Sequence, residues 1–274
     1  MNLVLSYWPL IVGLSISGCI SGVFAGLLGV GGGVIIVPIL STAFEAMGFS
    51  GDIAQHVAVA SSLAIIMPTG AMSARSHYRR GAVDTRALRL WAPFVLVGTL
   101  VGGLLARWFT GEALRIVFGV LALLIALNVV VPIQQRLMGH LKSSATTHRI
   151  AASIVGFLSA LMGIGGGSLS VPTMAAFGAT MHQAVGTGAA IGVFIAIGGT
   201  IGYIVSGWGA AGLPPLSLGY VNVIAFVLVG GFAALTAPLG AALAHKLNQK
   251  TLRYVFAAFL VLAGLNMIWK AISG

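Results

Sequence analysis

Ten apolar stretches alternate with short polar breaks along the chain. They cover about 8–28, 34–48, 54–74, 88–109 and 113–133, then about 149–163, 167–180, 182–207, 217–245 and 250–271. Between the two sets of five lies Gln134–His148, polar and basic. Most stretches approach or exceed the ~20 residues that a helix needs to cross the hydrocarbon of a bilayer. None shows the in–out alternation of a membrane strand. The pattern predicts an all-α integral membrane protein with a first repeat at 1–133, a cytoplasmic basic linker at 134–148 and a second repeat at 149–274.

One stretch occurs twice, as GVFAGLLGVGGGVIIVP from Gly22 to Pro38 and as GFLSALMGIGGGSLSVP from Gly156 to Pro172. Each copy carries a Gly-x-Gly-Gly-Gly core: Gly29, Gly31, Gly32 and Gly33, then Gly163, Gly165, Gly166 and Gly167. Successive glycines forfeit backbone entropy and offer nothing to pack, so each copy predicts helix, break, helix. The repeat reaches further, with Ala58–Ser62 matching Ala184–Gly188, and Leu114-Arg115-x-Val117-Phe118 matching Leu252-Arg253-x-Val255-Phe256. Asn128 and Asn266 then fall at the same offset, which indicates an internal duplication. Segments 149–163 and 167–180 are short for a full crossing. Re-entrant hairpins or broken helices are expected at the start of each repeat, with glycine tips approaching the midplane from opposite faces.

Composition sharpens this. With 58% hydrophobic and 7% charged residues, the chain is not a soluble globule. No basic region precedes the first apolar run, so the N-terminus is expected to stay as the first helix rather than be cleaved. The net charge of +10 sits in short loops and not on one soluble face, which argues against a nucleic-acid partner. Placing Arg75, Arg79, Arg80, Arg86 and Arg89 on the cytoplasmic side brings Arg136, Lys142, Arg149, Lys246, Lys250 and Arg253 with them if the halves are inverted. Eleven of the fourteen basic residues then lie inside, against nine for parallel halves. Inverted repeats in a bacterial inner membrane, multi-pass, are the expectation. The single cysteine, Cys19, reads as a packing residue with no thiol partner.

The candidate chemistry follows from the breaks. Free amides of Gly31, Gly32 and Gly33, and of Gly165, Gly166, Gly167 and Ser168, open onto helix N-termini and could bind an anion. Close helix packing is the competing use of glycines, and is the expected one for Gly22/Gly26 and Gly98/Gly102. The hydroxyls of Ser61, Ser62 and Thr187 could donate to the same anion or tie helices together. Asn128, Asn222 and Asn266 read as links between helices. His56, His182 and Arg75 are candidates for gating or proton coupling. All four acids (Glu45, Asp52, Asp84, Glu112) lie at or near segment ends, which disfavours cation transport. Neither glycine copy completes a phosphate-loop or dinucleotide pattern. No nucleophile constellation, metal cluster or cofactor motif is visible, so no enzyme, cofactor or metal is expected. Small-residue faces suit a homodimer as well as packing within one chain.

The paired G-x-x-x-x-x-x-G-x-G-G-G-x-x-x-x-P stretches, the following Ala-Val-x-Ser/Thr segments and His77-Tyr78-Arg79-Arg80-Gly81-Ala82-Val83-Asp84 resemble the TauE/SafE family of sulfite exporters or anion permeases. The likeness spans nearly the whole chain. It implies export or uptake of sulfite, sulfonates such as sulfoacetate or related small organic anions, and assigns family motif positions to the two glycine cores with Pro38 and Pro172; alternating access is the mechanism expected of the inverted repeats. Gly188, where the first half has Ser62, departs from strict repetition. An anion channel, or a scaffold whose glycines only pack helices, are the other readings of the same residues.

Overall fold

A computed structural model describes residues 2–28, 32–131, 144–246 and 249–273. Gly29 and Gly31 in the first break, and Arg136 and Lys142 in the linker, lie outside the described residues. So do the side chains of Gly26, Lys246, Lys250 and Arg253.

The described chain is helical almost throughout. The helices are α1 (Asn2–Leu28), α2 (Gly33–Ala46), α3 (Gly51–Arg79), α4 (Thr85–Leu105), α5 (Gly111–Val130), α6 (Ala145–Met162), α7 (Gly166–Ala176), α8 (Met181–Ser206), α9 (Val223–Lys246) and α10 (Gln249–Ser273). A 3₁₀ turn at Ala106–Trp108 closes α4, and an antiparallel pair β1 (Ser217–Leu218) and β2 (Val221–Asn222) precedes α9. This pair occupies the start of the expected 217–245 segment. Among the described residues, six helices are long and apolar enough to cross a membrane. The molecule is an all-α, multi-pass membrane protein.

Caps set boundaries that hydropathy alone places poorly. Ser50 accepts the Ile53 amide and starts α3 ahead of the expected 54, while His77 and Arg79 suit its C-terminal dipole and carry it past 74. Ser144 and Thr147 form a capping box, so α6 begins at Ala145 and absorbs the last four residues of the expected linker. Asp84 accepts the Arg86 and Ala87 amides at 2.9 and 3.0 Å to start α4.

The two short helices are the breaks made visible. At ~1.5 Å per residue, the 14 residues of α2 and 11 of α7 fall short of the ~30 Å hydrocarbon thickness. The end of α2, the starts of α3 and α5 and the end of α10 share one end of the molecule. There Glu45 pairs with Arg115 and Lys270, and Asp52 accepts the Gly111 amide. α1 folds back to this acidic end, since a Cβ on its Gly13 would lie 3.9 Å from Met47, just past α2. At the other, basic end, the start of α6 meets the end of α7. His148 stacks on Phe177 at 4.1 Å and accepts the Trp91 indole N–H, from α4, at 3.0 Å. The ends of α2 and α7 therefore lie at opposite ends of the molecule.

Packing between the five-helix units is reciprocal. The first helix of each packs on the fourth of the other (α1 on α9, α6 on α4), the third helices α3 and α8 pack together, and so do the fifth, α5 and α10. Glycine permits the tightest of these contacts. A Cβ on Gly22 would lie 2.5 Å from the Ala233 backbone, and one on Gly156, its repeat partner, 2.5 Å from the Val95 carbonyl. Gly98 abuts the Ser153 carbonyl and Gly102 lies against Phe157. Gly22, Gly98, Gly102 and Gly156 thus pack helices within the chain.

Candidate functional site

α6 ends at Gly163, whose φ of +69° is cheap only for glycine, and Gly165 caps α7 with extended backbone. In the first copy Gly32 takes the left-handed role, at φ +76°, immediately before α2. The second motif thus breaks its helix by a glycine turn and starts the next at once, and in the first a left-handed glycine stands directly before α2.

The start of α2 and the second turn, remote in sequence, meet in the core. A Cβ on Gly33 would lie 2.8 Å from the Gly163 carbonyl and 2.9 Å from Ile164 Cα. Ile66 of α3 sits against both, 2.7 Å from the Gly33 position and 3.3 Å from that of Gly165. Ser62 donates to the Gly163 carbonyl at 2.8 Å, tying α3 to the second turn. In this conformation the start of α2 lies against the second tip, backbone against backbone.

At the start of α7, the amides of Gly166, Gly167 and Ser168 belong to the first turn and have no acceptor within the helix. They sit at its positive pole. The Ser168 hydroxyl, on the same turn, is 7% exposed and has no hydrogen-bond partner among the described residues. A buried hydroxyl left unpaired costs about 1–3 kcal/mol. Gly166 also serves packing, because a side chain there would strike the Gly188 carbonyl and the Gly192 amide of α8. One turn of α7 thus carries both the close packing of Gly166 on α8 and the unpartnered Ser168 hydroxyl.

The remaining candidates divide. Ser61 and Thr187, matched in the repeats, make matched ties: Ser61 accepts the Asn222 amide at 3.0 Å, and Thr187 accepts the Asp84 amide at 2.9 Å. Asn222 and Asp84 each precede the fourth helix of the opposite unit. Asn222 in turn caps α9 through Ala225, so the residue read as a link between helices is a helix cap, announced by its place before an apolar run. His56 is buried, but His182 is exposed and so is Arg75 near the end of α3, so neither joins the tips. The histidines part because the cap of α3, Ser50, stands eleven residues before Ser61, while that of α8, Thr180, stands seven before Thr187. That added turn carries His56 inside.

His56 collects what hydropathy could not locate. Its Nδ1 lies 2.8 Å from the Asp52 carbonyl, its Nε2 3.0 Å from the Ala106 carbonyl, and its ring stacks at 4.7 Å on Tyr220. Tyr220 and the buried Tyr203 beside it come from the second unit. Nothing in their local sequence marks them, since only the tertiary fold brings α8 and the ribbon to α3.

Residues 14–267 match the family described as Sulfite exporter TauE/SafE. A "Probable membrane transporter protein" of Haemophilus influenzae is 32% identical over 253 residues, covering 92% of this chain and 96% of that one. The "Probable membrane transporter protein YunE" of Bacillus subtilis is 28% identical, with 94% and 97% covered. A third, from Methanocaldococcus jannaschii, is 25% identical, with 93% and 94% covered. No solved structure matches the chain. With its glycine-broken helices and a match over residues 14–267, the chain belongs to the TauE/SafE sulfite exporter family of membrane transporters.

Proposed function

We propose that the protein is a secondary transporter, not an enzyme, that carries small sulfur-containing anions such as sulfite or a sulfonate across the bacterial inner membrane. The anion binds at the glycine turns, held by first-turn amides and by the Ser168 hydroxyl. The observation that carries this reading is the Ser168 hydroxyl, buried without a partner among the described residues on the first turn of a helix, whose amides have no acceptor within that helix. The family description and the absence of acids from the segment interiors favour an anion.

Alternating access is the mechanism that suits these contacts. The start of α2 and the second tip, in backbone contact, must part to admit a ligand, and hairpins entering from opposite ends would give each side of the membrane one tip to withdraw. Contact at the centre speaks against a permanently open channel. In the membrane the basic end, with Arg75, Arg79, Arg80, Arg86 and Arg89, faces the cytoplasm and the repeats 1–133 and 149–274 are inverted.

Ser168→Ala in proteoliposomes tests the site. Losing an unpaired buried hydroxyl leaves the fold as stable as wild type or more so, while sulfite or sulfonate affinity falls about tenfold, the worth of one charge-assisted hydrogen bond. Wild-type affinity in the folded variant would reject the site. Absence of flux from wild-type protein across the anion panel would reject transport and leave the scaffold reading.

A further inference from the structure

His56 lies about 9 Å along α3 from Ser62, between the acidic end and the second glycine tip. It is 1% exposed. Both ring nitrogens face backbone carbonyl oxygens, Nδ1 that of Asp52 at 2.8 Å and Nε2 that of Ala106 at 3.0 Å. A carbonyl oxygen only accepts, and a neutral imidazole carries a single N–H. The neutral ring would leave one nitrogen lone pair against an oxygen lone pair at hydrogen-bond distance. Only the imidazolium, with two N–H donors, satisfies both contacts at once.

The surroundings suit a cation. Ala106 opens the 3₁₀ turn after α4, where the helix dipole presents its negative pole. The stacked face of Tyr220 offers its ring quadrupole. Of the charged and titratable groups nearby, Asp52 on α3 lies one turn away and accepts the Gly111 amide. Arg107 reaches over Trp108 at 5.4 Å, and Arg115 of α5 is held by Glu45 and the Gly51 carbonyl. Tyr203 of α8 lies behind Tyr220, ring centroids 6.3 Å apart. His148 provides a contrast within the same fold, since its Nδ1 accepts the Trp91 N–H and is therefore unprotonated.

We propose that His56 is a proton-binding site, occupied in this conformation, whose proton is bound as the acidic end closes and released as it opens. The proton joins α3 to the end of α4 and, through Tyr220, to the second unit. Its loss deprives one carbonyl of its donor and removes the cation from the tyrosine face. The linkage to opening rests on the transport reading above; occupancy of the site by a proton does not. By linkage, a ligand bound better by one conformer shifts the equilibrium towards it, so acid holds this end shut and slows the cycle.

Two measurements test it on the full chain. Nitrogen-15 spectra of histidine-labelled protein in nanodiscs, assigned by difference against His56→Gln, follow the ring over about pH 5 to 9. The expected result is an imidazolium at the acid end, with both N–H protons protected from water exchange. A ring that is neutral at every pH, or whose protons exchange freely, overturns the site. In proteoliposomes at equal pH on both sides, wild-type sulfite flux should fall about tenfold per pH unit on the acid side of the midpoint, as one proton requires, and His56→Gln should flatten that dependence. A folded His56→Gln protein that keeps the wild-type pH profile overturns the linkage. Wild-type protein inert to every anion at every pH would sink the transport reading instead, and the nitrogen spectra would still decide the proton site.

Discussion

Replacing Ser61 by alanine removes the acceptor of the Asn222 amide, a hydrogen bond of 3.0 Å between two fully buried residues. The amide has no second choice. Asn222 Oδ1 is committed to Ala225 and its Nδ2 to the Pro215 carbonyl and Ser217, so no local rearrangement supplies an oxygen. An unpaired buried donor costs about 1–3 kcal/mol, whereas deleted interhelical bonds in membrane proteins average ~0.6 and reach ~1.7 because the unfolded chain finds other partners. The lack of an alternative here puts Ser61→Ala near the top of the membrane range, at about 1.5 kcal/mol. Thr187→Ala makes the matching cut, but the Asp84 amide it exposes lies partly open at the basic end, where water can take over; about 0.5 kcal/mol is expected. Unfolding free energies by steric trapping in bicelles would be compared for both variants and for Ser61→Thr, which keeps an oxygen in place as the second repeat does. The reasoning is refuted if Ser61→Ala matches wild type, or if Thr187→Ala costs more.

Gly165→Ala separates packing from binding: extended backbone and a nearest neighbour at 3.3 Å let it fold, while its methyl crowds the α7 amides and should weaken sulfite binding several-fold by titration calorimetry. Gly166→Ala, by contrast, drives a side chain into the α8 backbone and should lower thermal stability sharply, which makes it a poor probe of the ligand. Gly22→Val and Gly156→Val should each cost about 1–3 kcal/mol or prevent folding, because the backbone they meet belongs to a packed partner helix; wild-type melting of either would contradict the reciprocal contacts. Glu45→Gln strands Arg115, whose side chain is nearly buried, and should cost about 1–3 kcal/mol, more than Lys270→Met; equal stability of all three proteins would show the network to be surface decoration. In a Cys19→Ser background, Arg79→Cys and Lys270→Cys should react with an impermeant thiol reagent from opposite sides of intact cells.

The glycine breaks were legible because glycine runs carry their meaning locally: Gly32 and Gly163 adopt the left-handed backbone that other residues avoid. Segment number was legible for the same reason, each apolar run being its own evidence. Caps moved the ends, as at Ser144, where a polar box overrides hydropathy. What the chain hid was long-range. Ser61 and Thr187 could be matched by repetition, but their use as acceptors for distant cap residues depends on partners that no local pattern names. His56 and His182 looked alike in sequence and differ in the fold by one turn of helix, enough to bury one and expose the other.

The matched ties have a consequence for the resting state. If each unit anchors the opposite fourth helix through one hydroxyl, the two extremes of a rocking cycle are made from like parts and should lie close in energy. The balance is then set by small inequalities between the ends. Asn222 is sealed and Asp84 is partly wet, so the acidic end holds its anchor more firmly than the basic end. Under the alternating access proposed above, an idle protein of this construction would wait with the acidic side shut and the basic side ready to yield.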